Sequence, residues 1–242
     1  MNLLNFLLDL IYPPQPVCLY CGQRLSFPEI KGLCSDCLAG IEFISNYCDV
    51  CGKKLILEDK EVCKNCQQQT YYFDRARSVA IYDGIFRELI MEFKYEGRKE
   101  LSKVLVELLY LYFKEYYNNL SIDVIIPVPL HPKRRQIRGY NQAQLLAAGI
   151  HEKIKVLLRT DCVLRVKNNP PLYTLNSVQR QQILEDGFTI NNDINIEGKN
   201  VLLIDDILTT GSTVNQVSSI LKKQGRVNQV YVLTLATGQV LK

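Results

Sequence analysis

The chain has 242 residues, of which 47% are hydrophobic, so it can build a substantial core in one large domain or two smaller ones. Its 29 basic and 25 acidic residues leave a net charge of +4, which is too small to indicate a nucleic-acid partner by itself. The sequence shows no transmembrane stretch, so we expect no membrane insertion.

The chain opens with MNLLNFLLDLIYPP, a mostly apolar segment that ends in two prolines. This segment lacks the basic start and the small-residue cleavage site of a secretory signal peptide. We predict a short helix that ends before Pro13 and packs on the body of the protein. Because no export signal is present, we expect a cytoplasmic protein.

Eight of the nine cysteines lie between Cys18 and Cys66, in four C-x-x-C pairs. Two thiols at this spacing turn toward one point, which suits a tetrahedral zinc ion. The alternative is a disulfide framework, which is typical of small secreted domains. We favour zinc, because the chain has no export signal, and we expect the ninth cysteine, Cys162, to be a buried strand residue.

An internal repeat indicates how the cysteine pairs share their metals. CLYCGQRL recurs as CDVCGKKL at an offset of 30 residues, and the second pair of each half recurs at an offset of 29. A duplicated unit with four ligands can fold around its own ion, so we predict two closed, structural zinc sites. A cross-braced arrangement, which joins the first and third pairs, stays open as the alternative. The predicted ligands are Cys18, Cys21, Cys34 and Cys37 in one site and Cys48, Cys51, Cys63 and Cys66 in the other.

From about residue 72 the pattern changes to alternating strands and helices. This alternation predicts a mostly parallel α/β sheet that is covered on both faces and binds ligands at the C-terminal ends of its strands. We therefore expect two domains, a helix with a double zinc ribbon over residues 1–71 and an α/β domain over residues 72–242. The predicted strands are 76–83, 123–130, 161–166, 201–204 and 230–235, and the predicted helices are 101–117, 142–155 and 213–223.

The predicted strand Val201–Ile204 is followed by two adjacent acids, Asp205 and Asp206, and then by the turn TTGST. The turn leads into a helix whose N-terminal amides attract a phosphate, while Gly211 allows close backbone approach. Carboxylates accept hydrogen bonds from sugar hydroxyls, so a phosphorylated ribose meets both requirements in order. The lysine of a P-loop is missing, which argues against a nucleoside triphosphatase.

DDILTTGST resembles the 5-phosphoribosyl-1-pyrophosphate (PRPP) motif of type I phosphoribosyltransferases. With the paired cysteines and the run VPLHPKRRQIRGYNQAQLLA, nearly the whole chain resembles the ComF family. The resemblance implies a type I phosphoribosyltransferase-like fold with an N-terminal double zinc ribbon. It also implies PRPP as a ligand, used with Mg²⁺, and a link to DNA uptake during natural transformation.

Carried over to this chain, the resemblance assigns the ribose 2′- and 3′-hydroxyls to Asp205 and Asp206. The residues that it assigns to the 5′-phosphate are Thr209, Thr210, Gly211, Ser212 and Thr213. The resemblance assigns the pyrophosphate to the loop after Pro129, whose cations are Lys133, Arg134, Arg135 and Arg138. A solvated basic turn or a nucleic-acid patch is the alternative for this loop.

Three further residues belong to the same comparison. Lys94 matches a family lysine, and it either points into the site or lies on the surface. We interpret Asn141 and Gln142 as anchors of a helix start.

The implied chemistry is displacement at the anomeric carbon, in which pyrophosphate leaves and a nitrogen takes its place while the two carboxylates stabilise positive charge on the sugar. The chain departs from the family between Asn168 and Phe188, a polar segment with the character of a mobile lid. Leu172 and Ile183 stand there in place of a family Gln and Asn, whereas Arg180 and Phe188 match. This departure puts acceptor recognition and turnover in question, but not PRPP binding.

Two function classes therefore stay open. One is an enzyme that transfers phosphoribose to an unidentified acceptor. The other is a PRPP-sensing module whose ribbons and basic loop bind single-stranded DNA, and other competence or DNA-uptake proteins are candidate partners for either class.

Overall fold

The structure is a computed structural model that describes residues 16–25, 32–56, 61–166 and 187–238. The predicted N-terminal helix lies outside the described residues, and so does the predicted lid up to residue 186, including Leu172, Arg180 and Ile183. In the described part of the chain, no helix combines the length and the apolar character that a bilayer crossing requires.

A parallel sheet of five strands forms the centre of the molecule. The described strands are β1 (Arg75–Ile81), β2 (Val124–Pro127), β3 (Leu157–Leu158), β4 (Val163–Arg165), β5 (Phe188–Ile190), β6 (Asn200–Leu208) and β7 (Gln229–Thr237). Parallel pairing joins the main sheet in the order β1, β7, β6, β2, β3, whereas β4 and β5 form a separate antiparallel pair. The predicted mostly parallel α/β sheet is confirmed.

The three predicted helices are present to within one residue at each end, and the described residues contain four further helices. The described helices are α1 (Ser35–Ala39), α2 (Lys64–Gln68), α3 (Gly84–Tyr95), α4 (Ser102–Tyr116), α5 (Pro132–Arg138), α6 (Gln142–Ile154) and α7 (Ser212–Lys223), with a 3₁₀ turn at Lys99–Leu101. The four unpredicted helices are α1, α2, α3 and α5, and α5 replaces the expected basic loop. Pro132 suits the first turn of α5, and Gly139 ends it with a φ of 78°.

The strands of the sheet send alternate side chains into two separate cores. Leu202 and Ile204 of β6 belong to the core that contains α3, α4 and α6, whereas Val201 and Leu203 belong to the core that contains α7 and the β4–β5 pair. This alternation is the period of two that any strand imposes on its side chains. Cys162, just before β4, is fully buried in the second core.

The two cysteine-rich halves pack against opposite cores. Cys18, Cys34 and Cys37 belong to the first core, and Cys48, Cys51 and Cys63 belong to the second. The segment between the halves covers the outer edge of β1, where Phe43 bridges Ala80 and the Ile44 N–H donates to the Val79 carbonyl at 3.1 Å. Because such contacts run across residue 71, the cysteine-rich segment contributes to the cores of the α/β domain. The boundary at residue 71 stays a prediction.

Candidate active site and zinc centres

Four cysteine sulfurs converge in each half of the repeat. The tetrads are Cys18, Cys21, Cys34 and Cys37, and Cys48, Cys51, Cys63 and Cys66, with all sulfurs of a tetrad within 4.8 Å of one another. The sulfurs of Cys21 and Cys34 lie 3.7 Å apart, as do those of Cys51 and Cys63. A zinc ion with four bonds of about 2.3 Å to sulfur requires sulfur separations of about 3.8 Å. The tetrads therefore fit one zinc ion each.

The same distances decide between the alternatives that the sequence left open. A disulfide needs sulfurs about 2.05 Å apart, and all nine cysteines are free, so the disulfide framework is wrong. Each tetrad forms within one half of the repeat, which is the sequential arrangement and not the cross-braced one. Backbone amides support the sulfurs, since the Cys63 N–H donates to Cys48 Sγ at 3.3 Å. With four thiolates, both sites are closed and structural.

The two acids lie within β6 and not after it. β6 stays paired with β7 as far as Leu208, whereas β2 ends at Pro127, opposite Ile204. Beyond Ile204 one side of β6 is therefore open, and the acids lie at this opening, at the C-terminal edge of the sheet. The strand was predicted too short because carboxylates are rare in buried strands, and pairing with β7 outweighs that preference here.

The two carboxyl groups have different electrostatic surroundings. Burial, and then the neighbouring charge of Asp206, raise the pKa of Asp205 from an ordinary 3.8 to about 7. Asp206 instead pairs with Lys94, whose Nζ lies 2.9 Å from Asp206 Oδ1, and these side chains are only 14% and 12% exposed. Near neutral pH the site therefore holds one paired carboxylate and one carboxyl group that is partly protonated.

Lys94 reaches the site because it lies in the last turn of α3. The sequence left open whether Lys94 enters the site or stays on the surface, and the structure places it beside Asp206. The helix that carries it was not predicted, so its direction was not available from the sequence.

The hydroxyl-rich turn joins β6 to α7 in the expected manner. Gly211 precedes α7 with a φ of 80°, a conformation that favours glycine. The Asn215 N–H donates to the Gly211 carbonyl at 2.8 Å, so the amides before it belong to the N-terminal turn of the helix, where anions bind. The hydroxyls of Thr210 and Ser212 lie 2.7 Å apart and are close enough to act on one ligand group.

The four cations of the basic run point in different directions. Lys133 and Arg135 are exposed on α5. Arg138 donates to Tyr95 Oη at 2.9 Å and to Gln142 Oε1 at 3.2 Å, and its guanidinium lies 4.6 Å from the Tyr95 ring centroid. Arg138 therefore packs α5 against α3 and α6. Arg134 is the member of the run whose charge acts on Arg165, next to the acids.

Asn141 and Gln142 anchor the start of α6, as predicted. Asn141 accepts from the Ala143 N–H at 3.1 Å and donates to the Val128 carbonyl, which fixes the helix to the end of β2. Gln142 is buried and donates to the Lys94 carbonyl at 3.3 Å, so it also fixes the end of α3.

Arg165 of β4 is a candidate site residue that the sequence analysis did not single out. Its charge acts on Asp205, and burial lowers its own pKa, as does Arg134. Its Nε is buried without a hydrogen-bond partner among the described residues, and its guanidinium lies 5.2 Å from the Phe188 ring centroid. The only signal in the sequence was a basic residue within a short apolar strand.

Comparisons with known proteins agree with this architecture. The Double zinc ribbon domain model matches residues 7–67, and the Phosphoribosyl transferase domain model matches residues 141–239. Competence protein F of Haemophilus influenzae is 32% identical over 223 residues, which cover 90% of this chain and 96% of that protein. Competence protein ComFC of Bacillus subtilis is 25% identical over 242 residues, with 90% and 94% covered.

A third relative and one solved structure extend the comparison. DNA utilization protein YhgH of Escherichia coli is 26% identical over 212 residues, which cover 86% of this chain and 92% of that protein. Adenine phosphoribosyltransferase from Saccharomyces cerevisiae aligns over 61% of this chain and 82% of its own, with 17% identity and a TM-score of 0.38, a likeness too low to support an inference. The family models and the described sheet together show a phosphoribosyltransferase-like fold with a double zinc ribbon.

Proposed function

Because the chain belongs to the competence protein F family, we propose that it binds PRPP with Mg²⁺ and transfers phosphoribose to an acceptor during the handling of DNA taken up by the cell. The observation that carries this proposal is the order of groups along β6 and α7, in which two carboxylates at an open sheet edge precede a hydroxyl-rich helix start. Sugar hydroxyls can donate hydrogen bonds to the two carboxylates, and a phosphate can accept hydrogen bonds from the hydroxyls and amides of the helix start. Two thiolate zinc sites suit a reducing compartment, so we place the protein in the cytoplasm.

Each part of the site has a distinct task in this proposal. Asp205 and Asp206 accept hydrogen bonds from the ribose, and Lys94 holds Asp206 in place. The helix start and the hydroxyls of Thr209, Thr210, Ser212 and Thr213 bind the 5′-phosphate. Arg165 and Arg134 supply positive charge near the bond that breaks, and fixed charges of this kind stabilise a leaving pyrophosphate. Mg²⁺, when bound with PRPP, would add further positive charge beside the leaving pyrophosphate.

A PRPP-sensing, DNA-binding role is the second candidate, and one surface favours it. Beside the site, Tyr95 is 59% exposed and carries the Arg138 guanidinium on its ring, and Ile137 is 86% exposed between basic residues of α5. Cations combined with exposed rings bind single-stranded nucleic acids through phosphate contacts and base stacking. The names of the relatives refer to competence and DNA utilization, which fits either role.

Calorimetry with PRPP and Mg²⁺ tests the proposed site. We expect binding by the wild type and a loss of about a hundredfold or more when Asp205→Asn and Asp206→Asn are combined, because each charge-assisted hydrogen bond contributes about 1.5–3 kcal/mol. Ribose 5-phosphate is the comparison ligand, since it keeps the sugar and the 5′-phosphate. Undiminished affinity in a folded double variant contradicts the assignment of the two acids.

Pyrophosphate release from PRPP separates the two candidates. An enzyme releases pyrophosphate in step with consumption of an acceptor, whereas a sensing module binds PRPP without turnover. The assay is run with each nucleobase and with single-stranded oligonucleotides as candidate acceptors. No release with any of them, together with salt-sensitive oligonucleotide binding, favours the sensing role.

A further inference from the structure

Two consecutive tyrosines connect the second cysteine tetrad to the turn before α7. Tyr71 follows α2, the helix that carries Cys66, and its ring stacks on Phe73 with centroids 4.7 Å apart. Its Cε1 lies 3.4 Å from the position that a Cβ on Gly211 would occupy, so the ring packs directly on the turn. The Tyr72 N–H donates to Asn215 Oδ1 at 2.7 Å, in the first turn of α7.

The second ribbon is also fixed to the sheet on its other side. The Ala76 N–H donates to the Val50 carbonyl at 2.8 Å, and Arg77 donates to the Asp49 carbonyl at 2.9 Å, so the knuckle between Cys48 and Cys51 is attached to β1. Gly52 lies so close to β1 that a Cβ would come within 2.5 Å of the Ala76 carbonyl oxygen. The knuckle therefore cannot move without disturbing β1.

The first ribbon makes its contacts elsewhere. Tyr20 donates to Glu88 of α3, and Arg98 donates to the Leu19 carbonyl at 2.7 Å. These contacts belong to the opposite core from α7. The two zinc sites, which look equivalent in the sequence, are therefore placed differently with respect to the candidate ligand site.

We propose that Tyr71 and Tyr72 are positioning residues, through which the metal-bound second ribbon holds the turn at residues 209–213 in the geometry that binds a 5′-phosphate. This inference rests on the proposed function of that turn. An ion shared by the four sulfurs would tie α2, which carries Cys66, to the knuckle at Cys48 and Cys51, and Tyr71 and Tyr72 follow directly after α2. Coupling between two binding equilibria is reciprocal, so PRPP must also strengthen zinc retention in the second ribbon.

The first experiment measures PRPP affinity by calorimetry, with Mg²⁺, in zinc-loaded Tyr71→Leu. We expect binding about tenfold weaker than in the wild type while two zinc ions per chain are retained. Tyr112→Leu is the matched control, because Tyr112 also joins the cysteine-rich segment to the α/β domain, donating to the Ile44 carbonyl at 3.1 Å, but it does so at the edge of β1. The control should bind PRPP like the wild type.

The second experiment follows zinc release to a colorimetric chelator with and without saturating PRPP. We expect PRPP to slow the release of one of the two ions in the wild type and in Cys21→Ser, which perturbs the first tetrad, but not in Tyr71→Leu. If Tyr71→Leu loses zinc on its own, Asn215→Ala removes the acceptor of the Tyr72 N–H and tests the same link from α7.

The outcomes separate this inference from the function on which it rests. No PRPP binding by the wild type overturns the proposed function and the inference with it. Wild-type binding that Tyr71→Leu and Asn215→Ala leave unchanged, or zinc release that PRPP does not slow, overturns the inference alone.

Discussion

Replacing the two adjacent acids one at a time should change stability in opposite directions. The pKa of Asp205 rises from 3.8 to about 7 on folding, so between these values the folded protein holds a proton that the unfolded chain has lost. Wild-type stability therefore falls as the pH rises through this window, and the loss is complete above pH 7. The asparagine side chain in Asp205→Asn does not titrate and has nearly the same shape as aspartate, so this variant avoids the fall in stability with rising pH.

The size of the gain follows from the same pKa. At about 1.36 kcal/mol per pKa unit, the ceiling for Asp205→Asn at pH 8 is about 4 kcal/mol. Because the side chain retains some solvent contact, we expect about 2 kcal/mol, which for a chain of this length raises Tm by about 4–8 °C. The stabilisation by Asp205→Asn should be about a third smaller at pH 6, because at that pH the wild type has not yet lost all of the stability that it loses by pH 8.

Asp206→Asn should have the opposite sign, because it leaves the Lys94 ammonium without its partner in a site where that side chain is only 12% exposed. Breaking a buried ion pair from one side is strongly destabilising, and after the opposing relief of the repulsion between Asp206 and Asp205 we expect a net loss of about 2 kcal/mol at pH 8. Calorimetric melting of both variants at pH 6 and pH 8, with zinc content checked, measures the two effects. Destabilisation by Asp205→Asn at pH 8, or a shift of the same sign in both variants, refutes the reasoning.

Three further predictions concern the metals, the turn and nucleic acid. Elemental analysis of protein purified without added metal should give two zinc ions per chain, and Cys48→Ser should lower the stability of the whole molecule, because Cys48 belongs to a core of the α/β domain. Gly211→Val should weaken PRPP binding while both zinc ions stay bound, because a φ of 80° strains a β-branched residue; wild-type affinity contradicts this. Oligonucleotide binding, if it uses Lys133 and Arg135, should weaken steeply between 50 and 200 mM salt, and a flat dependence argues for a small-molecule role.

The sequence alone determined the parts of this protein that depend on local spacing. The eight ligands follow from C-x-x-C pairs in a repeat, which favoured sequential sharing, although only the grouping of the sulfurs excluded the cross-braced alternative. The turn before α7 could be located for a similar reason, since a helix start is a short-range feature, whereas the two acids were expected after the strand and lie within it. Asn141 could be located in the same way as the turn, since it caps α6 two residues from its partner amide.

Tertiary structure decided what depends on distant segments. Lys94 and Asp206 are far apart in the chain, and only the packing of α3 on the sheet gives their 2.9 Å contact and the different surroundings of the two acids. Arg165 has no local motif, and the contact of Tyr71 with Gly211 joins residues that are 140 positions apart in the chain. Charge pairing and burial depend on which surfaces meet in three dimensions, and residue spacing carries no record of that.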